Sequence, residues 1–363
     1  MNNIYVMSLE PLPSRYTGEW LDFIPSLIRK RATDLKRPYN VFNVVGESVS
    51  GETTPGAFLN FAGTNIWKNT QMNFIASEFN NGSIKPGDKF VFTDAWNPCI
   101  IQLKYMSVLL DIPVEIHSIW HAGSYDNWDL LGQKIKHKTW SFSFERSIYQ
   151  ASDFNYFATR WHFELFYTNA LGGMNFYPSK AVIAGFPFNY LKDLFPENDT
   201  KKENIILFPH RVSKEKQVDI FKDLAEQLPE YEFVVCQEKN LTKEEYHNLL
   251  KRSKMVFSAN LQETLGISCW EGMLAGALPL MPRRLSYAEM YHQEFLYPST
   301  WTESYEYYLE NRNNLVNLIR DRIERYDSYV AFAKTTEEKA GQFFDGTKLV
   351  DKIIKGYEDD TTR

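Results

Sequence analysis

The chain has 363 residues, 44% of them hydrophobic and 24% charged, which excludes a disordered, collagen-like or low-complexity protein and is enough for two domains with a core in each. No stretch approaches the roughly 18 consecutive apolar residues of a membrane span, and no basic segment precedes an apolar run near the first residue. Three widely separated cysteines are typical of a reducing compartment, so we expect a cytoplasmic protein. The net charge of −6 lies entirely after Tyr190, because the first 190 residues hold 16 basic and 16 acidic side chains.

Short apolar runs alternate with amphipathic stretches through the first half of the chain, which is the pattern of parallel α/β units. A helix is predicted over residues 19–35, where Trp20, Ile24 and Ile28 recur at helical spacing and Gly18 precedes the first turn. The predicted strands of this half are residues 4–9, 41–45, 90–93, 114–119, 154–158 and 181–184.

A polar, proline-containing stretch at residues 195–203 predicts a linker, and a second α/β set follows it. A helix is predicted over residues 213–227 with Ser213 as its N-cap, and Thr242 with Glu245 has the spacing of a capping box. The predicted strands of this half are residues 205–208, 233–236, 255–258 and 277–280.

These elements predict an α/β protein with two Rossmann-like domains whose parallel sheets face each other across a cleft. The first domain is expected over residues 1–190 and the second over residues 191–344. A helix at about residues 345–363 is amphipathic, and we expect it to pack back on the first domain.

The segment from Glu263 to Pro279 combines a strand end, a loop with Gly266 and a predicted helix. The start of such a helix presents free backbone N–H groups and a positive dipole end to an anion. Glu263 precedes the helix, and Glu271 lies about two turns further on. Here the two carboxylates could accept hydrogen bonds from hydroxyls while the backbone binds phosphate. A helix with exposed glutamates is the alternative interpretation.

Arg211 and Lys216 follow the first strand of the second set, so they reach the sheet edge where the Glu263 loop is also expected. Arginine supplies a bidentate fork for phosphate, and lysine supplies a point charge. A basic, solvated helix start is the alternative, although the helix dipole disfavours cations at that end.

The two glutamates, followed by Gly276-Ala-Leu-Pro279 and preceded by Arg211 and Lys216, resemble the donor site of retaining glycosyltransferases with the GT-B fold. The resemblance implies transfer of a sugar from a nucleoside diphosphate sugar, above all a UDP-sugar, to a hydroxyl group. It also implies that Arg211 and Lys216 bind the diphosphate, Glu263 the hydroxyls of the transferred sugar, and Glu271 the ribose.

The same resemblance assigns further residues to the donor. Gln237 would lie beside the base, and His121 matches the histidine that faces the donor sugar. Thr17 and Gly18 stand where the family has a glycine-rich loop, although this chain has a single glycine there. Backbone N–H groups for phosphate and sugar are expected from Thr264, Leu265, Gly266 and Ile267.

Three phrases, at residues 8–20, 120–126 and 208–217, are similar to bacteriophage glycosyltransferases, some of which modify hydroxymethylated bases in DNA. That resemblance implies DNA as a partner and a flipped-out hydroxymethylated pyrimidine as the acceptor. The basic runs at residues 29–37 and 134–138 would contact its phosphates. Solvated helix ends are the other interpretation of those runs. Acceptor contacts are expected from Arg15, Tyr16, Trp20 and Tyr125; for the aromatic side chains, core packing or binding of an acceptor sugar is the alternative.

Other functions stay open at this point. The acceptor could be a glycan, a lipid or a small metabolite, and the enzyme could be a GT-B epimerase or phosphorylase; a non-catalytic nucleotide-sugar binder belongs to another class. The sequence has no D-x-D, H-E-x-x-H or P-loop motif, so we expect neither a metal nor another cofactor. No protein nucleophile is identified, which agrees with retention by a same-face mechanism. The oligomeric state is not predicted.

Overall fold

The computed structural model describes residues 2–12, 15–54, 59–173, 180–196 and 200–357. These described residues form two compact units. The first unit takes its residues from Met1–Ala158, Phe163–Pro187 and Gly346–Arg363. The second takes its residues from Thr159–His162 and Phe188–Asp345. The expected domain boundary after Tyr190 stays a prediction, and the described residues of the expected linker, 195–196 and 200–203, belong to the second unit. Residues 358–363 of the expected C-terminal helix lie outside the described part of the chain.

In chain order the elements are β1 (Asn3–Met7), α1 (Tyr16–Asp34), β2 (Asn40–Val44), α2 (Phe61–Asn80), β3 (Lys89–Phe92), α3 (Cys99–Leu109), β4 (Glu115–Ile119), α4 (Leu130–Lys134), α5 (Lys138–Ala151), β5 (Phe154–Phe157), α6 (Arg160–Asn169), β6 (Ala181–Ile183), α7 (Leu191–Leu194), β7 (Glu203–Phe208), α8 (Val218–Gln227), β8 (Glu232–Val235), α9 (Lys243–Arg252), β9 (Ser253–Phe257), α10 (Ile267–Leu274), β10 (Leu278–Pro282), α11 (Tyr287–Met290), β11 (Leu296–Tyr297), α12 (Tyr305–Glu324), α13 (Tyr326–Gly341) and α14 (Thr347–Lys355). None of the described helices is both long and apolar enough to cross a membrane.

The first unit contains a six-stranded parallel sheet in the order β2-β1-β3-β4-β5-β6. The inner strands β1, β3, β4 and β5 are almost wholly buried, as expected where helices cover both faces. Helix α14 packs against α1, and Arg31 Nη2 forms an ion pair with Asp351 at 2.8 Å. Lys89 Nζ donates to the carbonyl of Ile353 at 2.8 Å, so the last helix is tied to the sheet of this unit.

The second unit contains a five-stranded parallel sheet in the order β11-β10-β9-β7-β8. Alternate residues of β7 enter different cores: Ile206 and Phe208 pack with α8 and α12, whereas Ile205 and Leu207 face the core that α9 covers. Helices therefore lie on both faces of this sheet as well. The predicted α/β class with two parallel sheets is confirmed, and β11 is a short edge strand that the sequence pattern did not indicate.

The prediction of one continuous helix over residues 213–227 is wrong. A short 3₁₀ turn at Lys214–Lys216 is separated from α8 by Gln217, which has a left-handed backbone with φ +55° and ψ +48°. The Gln217 side-chain amide donates to the carbonyls of Ala259 at 2.6 Å and Thr302 at 2.7 Å. These distant partners hold the break in place and set the position of the preceding lysine. The capping box predicted at Thr242 is confirmed.

Candidate active site

Lys216 lies at the carboxyl edge of the second sheet beside the loop that follows β9. Its ammonium group is 3.0 Å from Glu263 Oε2 and also donates to the backbone carbonyl of Gln262. Burial is the largest single influence on Glu263 and opposes its ionisation, but the charge and hydrogen bond of Lys216 and the charge of Arg211 are among the influences that together outweigh it, so the pKa of Glu263 lies below its ordinary value. Two residues that the sequence placed on separate loops thus form one ion pair.

Arg211 is fixed beside this pair by a buried carboxylate. Its guanidinium Nη2 and Nε lie 2.6 Å and 3.1 Å from Glu215 Oε1, which also accepts from the hydroxyl of Ser213 at 2.7 Å. Burial of Glu215 is outweighed by these hydrogen bonds, so the pKa of its carboxyl is lowered. The backbone carbonyl of Glu215 accepts from Leu261 N at 2.8 Å, which ties the Arg211 turn to the Glu263 loop.

His210, which the sequence analysis did not assign, lies in the same cluster. Its Nε2 is 3.2 Å from the carbonyl of Phe257, which can only accept, so Nε2 carries the proton and Nδ1 accepts from Ser268 at 3.3 Å. Burial, with a contribution from Lys216, lowers the pKa of His210 to about 4, so the imidazole is neutral. Asn260, also unassigned from the sequence, donates through Nδ2 to Glu263 Oε2 at 3.2 Å. The phrase at residues 208–217 was the available signal for His210.

Helix α10 begins directly after the Glu263 loop. Gly266 is its N-cap with φ +75°, and a Cβ atom at this position would lie 2.5 Å from the ring of Tyr287. Glycine is therefore required both by the backbone conformation and by the close approach of the tyrosine. Since Gly266 has no side chain, the first-turn N–H groups of α10 have no capping oxygen from their N-cap residue. Thr264, Leu265 and Ile267 flank this turn, and the Thr264 carbonyl accepts from Ser286 Oγ at 2.5 Å.

Glu271 and Gln237 lie on neighbouring elements of the same edge. Glu271, in the second turn of α10, accepts from the hydroxyl of Tyr246 on α9 at 3.1 Å. Gln237, in the turn after β8, accepts from the backbone N–H of Val212 next to Arg211. The carboxyl edge of this unit thus gathers the cations, both glutamates and the predicted base-binding turn.

In the first unit, His121 follows β4 and Tyr16 opens α1. His121 Nε2 donates to the carbonyl of Thr93 at 2.7 Å, and Nδ1 accepts from the Tyr16 hydroxyl at 2.9 Å. Burial lowers the pKa of His121, against the opposing charge of Asp94, so the ring is neutral. Asp94 follows β3 and is a carboxylate at this edge that the sequence analysis missed.

Some polar groups at the start of α1 form hydrogen bonds within the same segment. The Thr17 hydroxyl accepts from Leu12 N at 3.1 Å, and Gly18 N donates to the carbonyl of Arg15 at 3.0 Å. Arg15 is the extended N-cap residue and makes no side-chain cap hydrogen bond. The expected donor contacts of Thr17 and Gly18 and the acceptor contact of Arg15 remain predictions.

The acceptor contacts expected of Trp20 and Tyr125 are wrong. Trp20 is 2% exposed and packs on the ring of His121, while Tyr125 is 1% exposed and packs edge-on against Phe166. Both are core residues, in line with the alternative interpretation, and neither presents a face to an acceptor. Tyr16, by contrast, is only half-buried.

The first basic run is also placed differently from the expectation. Arg29 donates to the carbonyl of Val41 at 2.9 Å and Arg31 pairs with Asp351, so both serve packing of the unit. From Tyr16 to Arg29 the helix rises by roughly 20 Å, which carries this run to the amino edge of the sheet, away from His121. Lys138 of the second run is also engaged, because its ammonium donates to Ser124 O at 2.7 Å.

His117, the other histidine of this strand, has a structural role. Its Nδ1 lies 2.7 Å from the Tyr156 hydroxyl and its Nε2 lies 2.7 Å from Glu115 Oε1, all within the sheet. Within the described ranges, no three His, Cys, Asp or Glu side chains are grouped as metal ligands would be.

Comparison of the sequence with protein families and with curated proteins finds no match. Solved structures do match. Sucrose-phosphate synthase from Thermosynechococcus elongatus has a TM-score of 0.61 at 12% identity, with 99% of each chain covered. WaaG, a glycosyltransferase involved in lipopolysaccharide biosynthesis, has a TM-score of 0.56 at 11% identity, with 97% of this chain and 99% of that chain covered.

The pneumococcal O-GlcNAc transferase GtfA, solved with UDP and GlcNAc, has a TM-score of 0.50 at 10% identity, with 80% of this chain covered. This chain spans 59% of the length of that transferase. At such identities the likeness defines the fold. The chain has the GT-B fold, with two parallel-sheet α/β domains.

Proposed function

We propose that this protein is a retaining glycosyltransferase that moves a sugar from a nucleoside diphosphate sugar, preferably a UDP-sugar, to an acceptor hydroxyl. The observation that carries the proposal is the Lys216–Glu263 ion pair beside Arg211 and the glycine-capped start of α10. The GT-B fold and the UDP in the pneumococcal transferase agree with this donor.

Lys216 and Arg211 would stabilise the negative charge that develops on the departing diphosphate. Cleavage of the bond between the sugar C1 and the phosphate oxygen leaves both electrons on that oxygen, and Lys216, Arg211 and the N–H groups of α10 stabilise it. In a same-face transfer, the acceptor oxygen bonds to C1 and its proton passes to the leaving phosphate. No protein nucleophile is then needed.

Glu263 is suited to hold the transferred sugar. Its Oε2 accepts from Lys216 and Asn260, whereas its Oε1 accepts no hydrogen bond from any described residue. We assign Oε1 to a sugar hydroxyl. The lowered pKa keeps this carboxyl ionised at neutral pH, and an ionised carboxyl is a strong acceptor.

As the acceptor we propose a hydroxymethylated pyrimidine in DNA, on the basis of the phage-like phrases and of Lys134 and Lys136, which lie exposed next to the loop that follows His121. Incubation with hydroxymethylated DNA, unmodified DNA and glycan acceptors tests this. Transfer to the modified DNA alone is the expected result. Transfer to a glycan with none to DNA would remove this acceptor and leave the glycosyltransferase.

The donor is tested by a mass-spectrometric screen of nucleotide sugars without acceptor. We expect slow release of the nucleoside diphosphate from one donor. An isomerised sugar without release would point to an epimerase, and nucleotide binding without any turnover would point to a non-catalytic binder.

Replacing Glu271 with glutamine should weaken UDP binding about tenfold, because a carboxylate accepts ribose hydroxyls better than an amide does. Isothermal titration calorimetry measures the affinity. Glu244→Gln, an exposed change in the first turn of α9, is the matched control. Equal affinity of the Glu271 variant and the wild type would remove the ribose assignment.

Activity should survive chelation by EDTA, because Lys216 and Arg211 already supply the positive charge that a metal would bring to the diphosphate. Donor hydrolysis is followed before and after chelation. A loss of activity that Mn²⁺ restores would contradict the prediction.

A further inference from the structure

Two tryptophans are exposed at the carboxyl edge of the first unit. Trp128 is 39% exposed and Trp140 is 55% exposed, in contrast to the buried Trp20 and Tyr125. Large aromatic side chains left in water offer flat faces for a ligand. These two replace the buried aromatics as candidates for acceptor contact.

The two indoles belong to one surface. Trp128 follows Asn127, whose Oδ1 accepts from the ammonium of Lys138 at 2.6 Å, and Trp140 lies two residues after that lysine at the start of α5. Lys138 also donates to the carbonyl of Ser124 in the loop after β4. The loop and the helix start are therefore held together.

The surface with the two tryptophans lies beside the residues that follow β3. The Trp140 ring lies edge-on to Trp96, with centroids 6.3 Å apart. Trp96 N donates to Asp94 Oδ1 at 3.1 Å, and its indole N–H donates to the buried Glu145 at 2.8 Å. Glu145 also accepts from Ser124 N at 2.6 Å, so one carboxylate positions both the loop and the tryptophan.

Basic side chains accompany the two indoles. Lys134 and Lys136 are exposed between the two tryptophans in sequence. Two acids lie in the same loop, where Asp126 accepts from Trp128 N at 2.9 Å and Asp129 accepts from Leu131 N at 2.9 Å. A neutral glycan would use the indoles but gains nothing from the lysines.

We propose that Trp128, Lys134, Lys136 and Trp140, the tryptophan–lysine surface, bind a single DNA strand, with indoles stacked on bases and ammonium groups on phosphates. Stacking platforms flanked by cations are the usual means of holding unpaired nucleic acid. The inference rests on the proposed DNA acceptor and names the residues that hold the strand next to a flipped base.

The test is fluorescence anisotropy with a fluorescein-labelled single-stranded oligodeoxynucleotide. Trp128→Ala and Trp140→Ala should each weaken binding roughly fivefold to 100-fold, and Trp140→Phe should restore most of the loss. Lys134→Gln with Lys136→Gln should flatten the slope of log affinity against log salt by about 0.7 per lysine. Tyr105→Ala and Lys30→Gln, exposed changes towards the amino edge of the same unit, are the matched controls.

Thermal melting verifies that each variant is folded, and donor hydrolysis by the wild type is measured in parallel. Tryptophan variants that bind the oligonucleotide no worse than Tyr105→Ala would overturn the inference. A wild type that hydrolyses the donor but binds no oligonucleotide would overturn it as well and leave the transferase standing. If the tryptophan variants instead lose binding to an oligosaccharide, and that binding does not depend on salt, the indoles would be assigned to a glycan.

Discussion

Lys216→Ala is expected to lower turnover by a factor on the order of 10² to 10³, with a smaller effect on the affinity for UDP-sugar. The ammonium group is buried and lies 3.0 Å from Glu263 Oε2. At a buried position a fixed charge acts strongly on charge that develops only in the transition state. Steady-state kinetics of donor hydrolysis measures both parameters.

Lys214→Ala is the matched control, because Lys214 lies on the same 3₁₀ turn and is exposed. Loss of Lys216 also removes the largest influence that lowers the pKa of Glu263, so the pKa of that carboxyl should rise. Its ionised form stabilises the wild-type fold above the ordinary carboxyl pKa, and this contribution is lost as the pH falls through the lowered value. The variant should therefore show a donor-binding step shifted to higher pH. Near-normal turnover in Lys216→Ala would remove the donor-site assignment.

Arg211→Ala is expected to cause a loss of similar size, on the order of 10²-fold or more in kcat/KM. Glu215 and Ser213 fix the guanidinium, so a bidentate contact to phosphate needs little reorganisation. Arg211→Lys should recover only part of the activity, because an ammonium cannot form the fork. The measurement is kcat/KM of the wild type, Arg211→Ala and Arg211→Lys, assayed at equal enzyme concentration.

Glu215→Gln tests how Arg211 is held, and an intermediate loss is expected because the amide oxygen still accepts hydrogen bonds from the guanidinium but carries no negative charge. Arg252→Ala, which removes an exposed ion pair with Glu203 at the start of β7, is the control and should leave the rate unchanged. Equal activity of Arg211→Ala and Arg252→Ala would contradict the assignment.

The convergence of Arg211, Lys216 and Glu263 was predictable, because residues after parallel strands meet at one edge of the sheet. The need for glycine at position 266 was only partly predictable. A loop glycine before a helix is visible in the sequence, but the approach of Tyr287 from a later element is not. His210 and Asn260 were missed because an isolated histidine or asparagine after a strand has no pattern of its own.

The break at Gln217 had no local signal. Glutamine rarely adopts a left-handed backbone, and the carbonyls that hold it belong to Ala259 and Thr302. Trp20 was misassigned despite a usable signal, since its spacing with Ile24 and Ile28 places it on the buried face of α1. Tyr125 and Trp128 lie three residues apart in one loop, and only the folded chain shows which of them is exposed.

We propose above all that a site built on Lys216, Arg211 and Glu263 carries out retaining transfer from a nucleoside diphosphate sugar. Proton NMR of the sugar released from an α-linked UDP-sugar, followed before mutarotation, tests it most directly and needs no knowledge of the acceptor. We predict that UDP and the α-anomer appear together at first, and that both signals are lost in Lys216→Ala. Initial release of the β-anomer, or no UDP from any nucleotide sugar, would contradict the claim.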